Sequence, residues 1–311
     1  MAGMLPRLMT ALVTVALSFA LTAMQPLAVR AEEAGTGASA DKMDLFDSAK
    51  LLATGGVNQL EGAGGGGLAP WALITGYGSR DSFGGNVHYT VVRLPNFLLQ
   101  SEGVAIGIAD RVEISFAHEA FDTGSFGATL GIGKGFTFGE DIVGIKVRLF
   151  GDAVYAQDSL IPQVSLGAMY KMANRGTLVR ALGARDSEGL DFYVAATRLV
   201  LDQSLLLNAT LRMTRANQLG LLGFGGDRNN DYRPEFEGSV AYLLNRRVAI
   251  GAEYRTKPDN LRFAHEHDWY DAFVSVFLDK HLSATLAFVS LGNIATSRPQ
   301  NGVYFSIQLG L

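Results

Sequence analysis

From Gly302 to Leu311 apolar and polar residues alternate without a break. Val303, Phe305, Ile307, Leu309 and Leu311 fall on one side; Tyr304, Ser306, Gln308 and Gly310 fall on the other. Successive side chains of a strand point to opposite faces, so this segment has one oily face and one polar or small face. The same zigzag recurs upstream. It predicts strands near 69–78, 86–94, 103–108, 112–119, 126–138, 142–150, 163–171, 190–200, 204–214, 235–244, 248–256, 269–278, 282–290 and 302–311. Most are close to the roughly 9–11 residues that a tilted strand needs to cross a bilayer. The pair at 103–119 is short, and without it the number falls to twelve. An even number returns both ends of the wall to one side. No helical period competes. Lipid offers the backbone no hydrogen-bond partners, so only helices and closed barrels cross it. The expected fold is therefore all-β: a transmembrane antiparallel up-and-down β-barrel of about 12–14 strands.

The start of the chain reads differently. Arg7 precedes an uncharged apolar run from Leu8 to Ala23, Pro26 breaks it, and Val29-Arg30-Ala31 has small residues where a leader would be cut. Residues 1–31 are expected to be a secretory signal peptide. Residues 32–68 are expected to be a periplasmic or lumenal Gly-rich segment, and 69–311 the barrel. Composition agrees: 48% of residues are hydrophobic and 18% charged, with 37 Gly and no Cys. Soluble domains carry about 25% charged residues. Two of the 26 basic residues lie in the leader, so the mature chain sets 24 against 30 acidic residues, a net charge of −6. That excludes the basic footprint of a nucleic-acid binder.

Turn lengths orient the barrel. Asn245-Arg246-Arg247 and Asp279-Lys280-His281 are tight and expected in the periplasm; 215–233, 257–268 and 291–301 are longer, polar and expected outside. Around Asp202-Gln203 no single register gives both flanking strands a clean apolar face.

Candidate chemistry sits on the inner faces. Opposing Phe236, Val240, Tyr242 and Leu244 to Val248, Ile250, Ala252 and Tyr254 across a three-residue turn sets one register. It places Glu237 opposite Arg255, Glu235 opposite Lys257, and Arg233 opposite Asp259. With Glu253, these residues form a charge ladder that either screens solutes or rigidifies and plugs the lumen. Such cross-strand pairs are worth roughly 0.2–1 kcal/mol each. In an extended stretch, His265, His267, Trp269 and Asp271 share a face, but two His and one Asp fall short of a metal site. The expected metal and cofactor content is none. Trp71, Trp269 and Tyr270 are expected in the aromatic belt at the lipid headgroups, with Tyr77, Phe83 and Tyr89 near the rim. Catalysis is not expected. Ser115 and His118 are three apart and face opposite sides of one strand, and each of Glu235, Glu237 and Glu253 has a cation nearby or opposite. A barrel hydrolase would need one of Glu235, Glu237 or His267. The Gly-rich stretch lacks the G-x-x-x-x-G-K-[ST] phosphate loop.

Thr54-Gly55-Gly56-Val57, Glu61-Gly62-Ala63-Gly64-Gly65-Gly66-Gly67 and Pro70-Trp71-Ala72-Leu73-Ile74 carry a family resemblance. So do Ala249-Ile250-Gly251-Ala252-Glu253-Tyr254-Arg255, Lys257-Pro258-Asp259-Asn260-Leu261 and Asp268-Trp269-Tyr270-Asp271-Ala272-Phe273. Together they resemble the bacterial family called domain of unknown function 3034, of predicted outer-membrane proteins. The resemblance implies an outer-membrane barrel and brings no substrate or catalytic residue. One departure is that such barrels usually end in Phe, and this chain ends in Leu311.

The expected function is a porin-like passive channel for small solutes in the Gram-negative outer membrane, reached through the general secretory pathway. Its partners would be membrane lipid, lipopolysaccharide and the outer-membrane assembly machinery. The alternative is a structural or accessory barrel for envelope or surface-polysaccharide assembly, its lumen plugged. A soluble periplasmic β-sandwich would also alternate, but its outward faces should be polar.

Overall fold

A computed structural model describes residues 50–311 with the exception of Gly56. The leader expected over 1–31 and residues 32–49 lie outside the described residues. Among the described residues, twelve antiparallel strands close into a barrel, each paired with its neighbours in sequence and the last with the first. They are β3 (Phe83–Arg93), β4 (Leu98–Ile108), β5 (Val112–Asp122), β6 (Thr137–Phe150), β7 (Gln163–Ala173) and β8 (Glu188–Val200), then β9 (Leu205–Thr214), β10 (Arg233–Asn245), β11 (Val248–Arg255), β12 (Trp269–Phe277), β13 (Leu282–Ser290) and β14 (Asn301–Gly310). Ahead of them, β1 (Val57–Asn58) and β2 (Gly64–Gly65) pair with each other outside the barrel sheet, and Gly65 also bridges to Pro70.

Alternation sorts the wall as expected. Phe305 and Ile307 are 45% and 41% exposed, whereas Tyr304 and Ser306, which alternate with them, are 1% and 0% exposed. Leu286, Val274, Phe236 and Tyr242 also point outward. The apolar outer face is interrupted where Glu102, His118 and Asp141 lie in register across β4, β5 and β6. There His118 Nδ1 sits 2.7 Å from Asp141 Oδ1.

Two expected strands are absent from the wall. The stretch at 126–138 holds a short helix, Phe126–Thr129, before β6 begins. Residues 69–78 run inside the barrel, so the wall starts at Phe83. The pair at 103–119, expected to be short, is instead two full strands of eleven residues each. The difficulty around Asp202-Gln203 has a local cause. A 3-10 turn over Leu201–Gln203 leads to Ser204 at φ 54°, and the register that follows turns Leu199 and Leu206 inward. At this end of the barrel the lumen itself is apolar, so both faces of these strands carry leucine.

Connections at one end include the tight links 109–111, 201–204, 246–247 and 278–281; at the other, 123–136, 174–187, 215–232, 256–268 and 291–300 are long. In the tight turn after β12, His281 and Leu282 backbone N–H groups donate to Asp279 and hold its carboxyl below the usual range.

Segment 57–77 lies almost wholly buried within the barrel. Its glycines permit close approach. A Cβ on Gly65 would stand 2.2 Å from the Ala69 carbonyl oxygen and 2.8 Å from Pro70 Cα, and neither backbone atom can swing away. Gly65→Ala is therefore expected to cost about 1–3 kcal/mol, as overpacked cores do. Urea unfolding followed by heat-modifiable gel migration measures it; an unchanged midpoint would mean the segment is not seated this way.

Candidate functional site

The lumen is filled, and the filling segment is bound by wall side chains rather than by a strand ladder. Asn58 N–H donates to Gln308 Oε1 (2.7 Å), and Gln308 Nε2 donates back to the Asn58 carbonyl (2.9 Å). Gly64 and Thr75 N–H groups each donate to the Glu113 carboxylate at 2.9 Å. Lys146, paired with Glu113 at 2.9 Å, donates to the Gly64 and Trp71 carbonyls. Gly67 and Leu68 N–H groups donate to Glu253 Oε2 at 2.6 and 2.7 Å, and Ala72 N–H donates to Thr197 Oγ1 at 2.7 Å. Several buried amides that leave regular structure thus find an acceptor on the wall.

Glu61 is the anchor, the one charge in the sequence between Lys50 and Arg80. Its carboxylate, fully buried, meets three cations: Lys171, Arg212 Nη2 at 3.1 Å and Arg255 Nη1 at 2.7 Å. Asp191 shares Lys171 (2.7 Å) and Arg212 (3.3 Å). Glu237 binds Arg212 and Arg255. Three carboxylates and three cations therefore balance in one network, and the Arg212 guanidinium also lies 5.6 Å from the Tyr193 ring centroid. This network occupies the arc from β7 to β11. The arc through β14, β3 and β4 faces the lumen with neutral groups such as Ser306, Thr90, His88 and Ser101.

Of the sequence-derived ladder, one rung exists. Glu237 and Arg255 are register partners and ion-paired. The other two rungs do not form, because β11 ends at Arg255. Glu235 instead accepts from the Thr256 hydroxyl, Lys257 pairs with Glu266 at 2.7 Å, Arg233 donates to Asn229, and Asp259 meets Arg228 and His265. Burial pushes the Glu266 carboxyl above its usual range and the Lys257 ammonium below its own. Glu253 has no cation partner among the described residues; backbone N–H groups and the Ser239 hydroxyl hold it.

The aromatic belt needs two corrections. Trp71 is in the lumen, where its indole N–H donates to Ser239 Oγ at 2.9 Å. Trp269 is 3% exposed and faces inward, with Lys257 Nζ 4.5 Å from its ring centroid. Aromatics near strand ends usually face the lipid headgroups; here each ring has an inner polar partner. Tyr77 is also buried, whereas Tyr270, Phe83 and Tyr89 do face outward. Ser115 points into the lumen while His118 pairs with Asp141.

Glu61, Lys171, Asp191 and Arg212 went unrecognised in sequence. The signal for the last three was their position on the polar side of alternating strands. For Glu61 it was isolation in a Gly-rich run.

Glu119 and Glu140 form a different feature. They are register partners on β5 and β6, both fully buried, and among the described residues none of their four carboxylate oxygens has a hydrogen-bond partner. Glu119→Gln turns the pair into an amide that can donate to a carboxylate. It is expected to raise stability, and more so as the pH rises, since two neighbouring buried carboxyls cannot both ionise without repulsion and the amide carries no charge. A lower urea midpoint than the parent would contradict it.

Over the long-loop end, Phe97, Phe121, Phe138, Leu222, Trp269 and Leu291 gather around an apolar cavity of about 80 Å³. A second cavity, of about 50 Å³, lies on the other side of the segment, toward the tight turns.

The family model described as "Protein of unknown function (DUF3034)" matches residues 54–308. The chain belongs to this family. No curated protein matches it. Among solved structures, the DUF3034 barrel is similar to the NanC porin, with 10% identity, 73% of this chain and 100% of that chain covered, and a TM-score of 0.47. A KdgM porin in complex with disordered oligogalacturonate gives 11%, 72% and 98%, and 0.46. Outer membrane phospholipase A from Escherichia coli gives 10%, 76% and 94%, and 0.40.

Proposed function

We propose that this DUF3034 chain is an outer-membrane β-barrel whose lumen is held shut by its own Gly-rich segment, serving the envelope as a structural or accessory barrel. The observation that carries this reading is Glu61, seated among Lys171, Arg212 and Arg255. A segment tied to the wall by an enclosed ion network and by hydrogen bonds to side chains of several strands lies where a passing solute would have to go. Membrane placement is supported by the apolar outer face, because a soluble barrel would set polar residues there. Lipid and lipopolysaccharide would cover that face after insertion by the assembly machinery. The tight turns would lie in the periplasm and the long loops outside.

A passive porin-like role requires the segment to leave. Planar-bilayer recording separates the two. The purified full chain is expected to insert, judged by heat-modifiable migration, and to pass no steady unitary current. Ohmic unitary currents from the unaltered chain would replace this reading with the channel.

A further inference from the structure

Lumen carboxylates fall into two groups. Glu61, Asp191, Glu237 and Glu113 each face a cation. Glu253 and Asp271 do not. They are register partners on β11 and β12, 3% and 4% exposed, and neither is in an ion pair among the described residues. Glu253 is held by two backbone N–H groups and a hydroxyl. Asp271 has one such bond, in which its Oδ1 accepts from Glu253 N–H at 3.1 Å. Removing a carboxylate from water without a counter-charge is strongly unfavourable.

Asp271 borders the 50 Å³ cavity on the tight-turn side of the segment. Trp71, Phe273, Phe277 and Tyr304 form much of the rest of the wall. A Cβ placed on Gly67 would lie 3.3 Å from Glu253 Oε2, and 3.4 Å from both Asp271 Oδ2 and Tyr304 Cζ. Both carboxylates and an aromatic ring therefore converge on the point where a side chain at position 67 would begin, and a methyl there would press on all three. The Glu119 and Glu140 pair has no such space. Glycine backbone packs directly on one carboxylate of each pair, since a Cβ would fall 1.9 Å from Glu140 Oε1 at Gly220 and 1.9 Å from Glu253 Oε1 at Gly66, but neither Glu119 nor Glu140 borders either of the two cavities described above.

We propose that this cavity binds a small organic ammonium ion, its nitrogen beside Asp271 and Glu253 and its alkyl body against Trp71, Phe273, Phe277 and Tyr304. A bare metal ion would leave the aromatic walls unfilled. A neutral apolar guest would leave the two carboxyls to be neutralised by protons alone. A cation with a short alkyl chain meets both, and aromatic faces attract it further. One water needs about 10–15 Å³ by this measure, so the cavity takes about four non-hydrogen atoms. The site depends on the cavity's geometry and not on whether the barrel conducts.

The test is calorimetric titration of the folded full chain in a non-ionic maltoside detergent. Propylammonium chloride is compared with 1-propanol, its neutral counterpart, and with sodium chloride. Saturable binding of propylammonium is expected, at least tenfold tighter than either control. Asp271→Asn should weaken it at least tenfold. Gly67→Ala keeps both carboxylates and fills the convergence point, so it should abolish binding even if Asp271→Asn fails to fold. Glu119→Gln should bind as the parent does. No binding of propylammonium, equal binding of 1-propanol, or full affinity in folded Gly67→Ala would each overturn the proposal.

Discussion

Glu61→Ala is expected to open the barrel. The substitution leaves Lys171, Arg212 and Arg255 facing only Asp191 and Glu237 in a lumen where each is at most 5% exposed. Removing one member of a buried, hydrogen-bonded charge cluster costs about 3–5 kcal/mol, because three buried cations are then left to share two carboxylates. The wall should survive, since its ladder hydrogen bonds do not involve Glu61. The cost falls on the seating of the segment, whose other ties are hydrogen bonds worth roughly 0.5–1.5 kcal/mol each. The expected readout is unitary current in planar bilayers from a variant that still shows heat-modifiable migration. Folded Glu61→Ala that inserts and stays silent would show that the ion network does not keep the lumen shut.

Leu286→Arg should disrupt the barrel from outside. Leu286 sits near the middle of β13, is 57% exposed and lies between Val274 and Phe305, which are also exposed. If that face meets acyl chains, a guanidinium there costs about 2–4 kcal/mol near the bilayer midplane. Urea unfolding from lipid vesicles should show the loss. Arg at Leu311, at the end of the wall, should be nearly silent. Equal, small effects at both positions would mean that the outer face is bathed in water, and the membrane assignment would fall.

Both predictions rest on a division that alternation makes visible. On β14, Phe305 and Ile307 could only lie on one face and Ser306 and Gln308 on the other. The same parity, with a tight turn at Arg246-Arg247, was enough to pair Glu237 with Arg255. Past the strand end that rule lost its basis. Lys257 and Asp259 are no longer held by a ladder, and they turned to Glu266 and Arg228.

The chain's own sequence determined the barrel class, the facing of most strands and the tight or long character of several connections, because a period of two is local and needs no partner to be read. It could not determine that 69–78 lies in the lumen. That stretch alternates like a strand, with Trp71, Leu73 and Tyr77 on one parity, and only its enclosure shows that the apolar groups meet protein and not lipid. The amides of Gly64, Ala72 and Thr75 are satisfied by Glu113 and Thr197, residues 38 to 125 positions away. Glu61 likewise meets cations 110 to 194 positions distant. Such partners come together only when the wall closes, since a filled interior is a property of the whole ring and of no single strand.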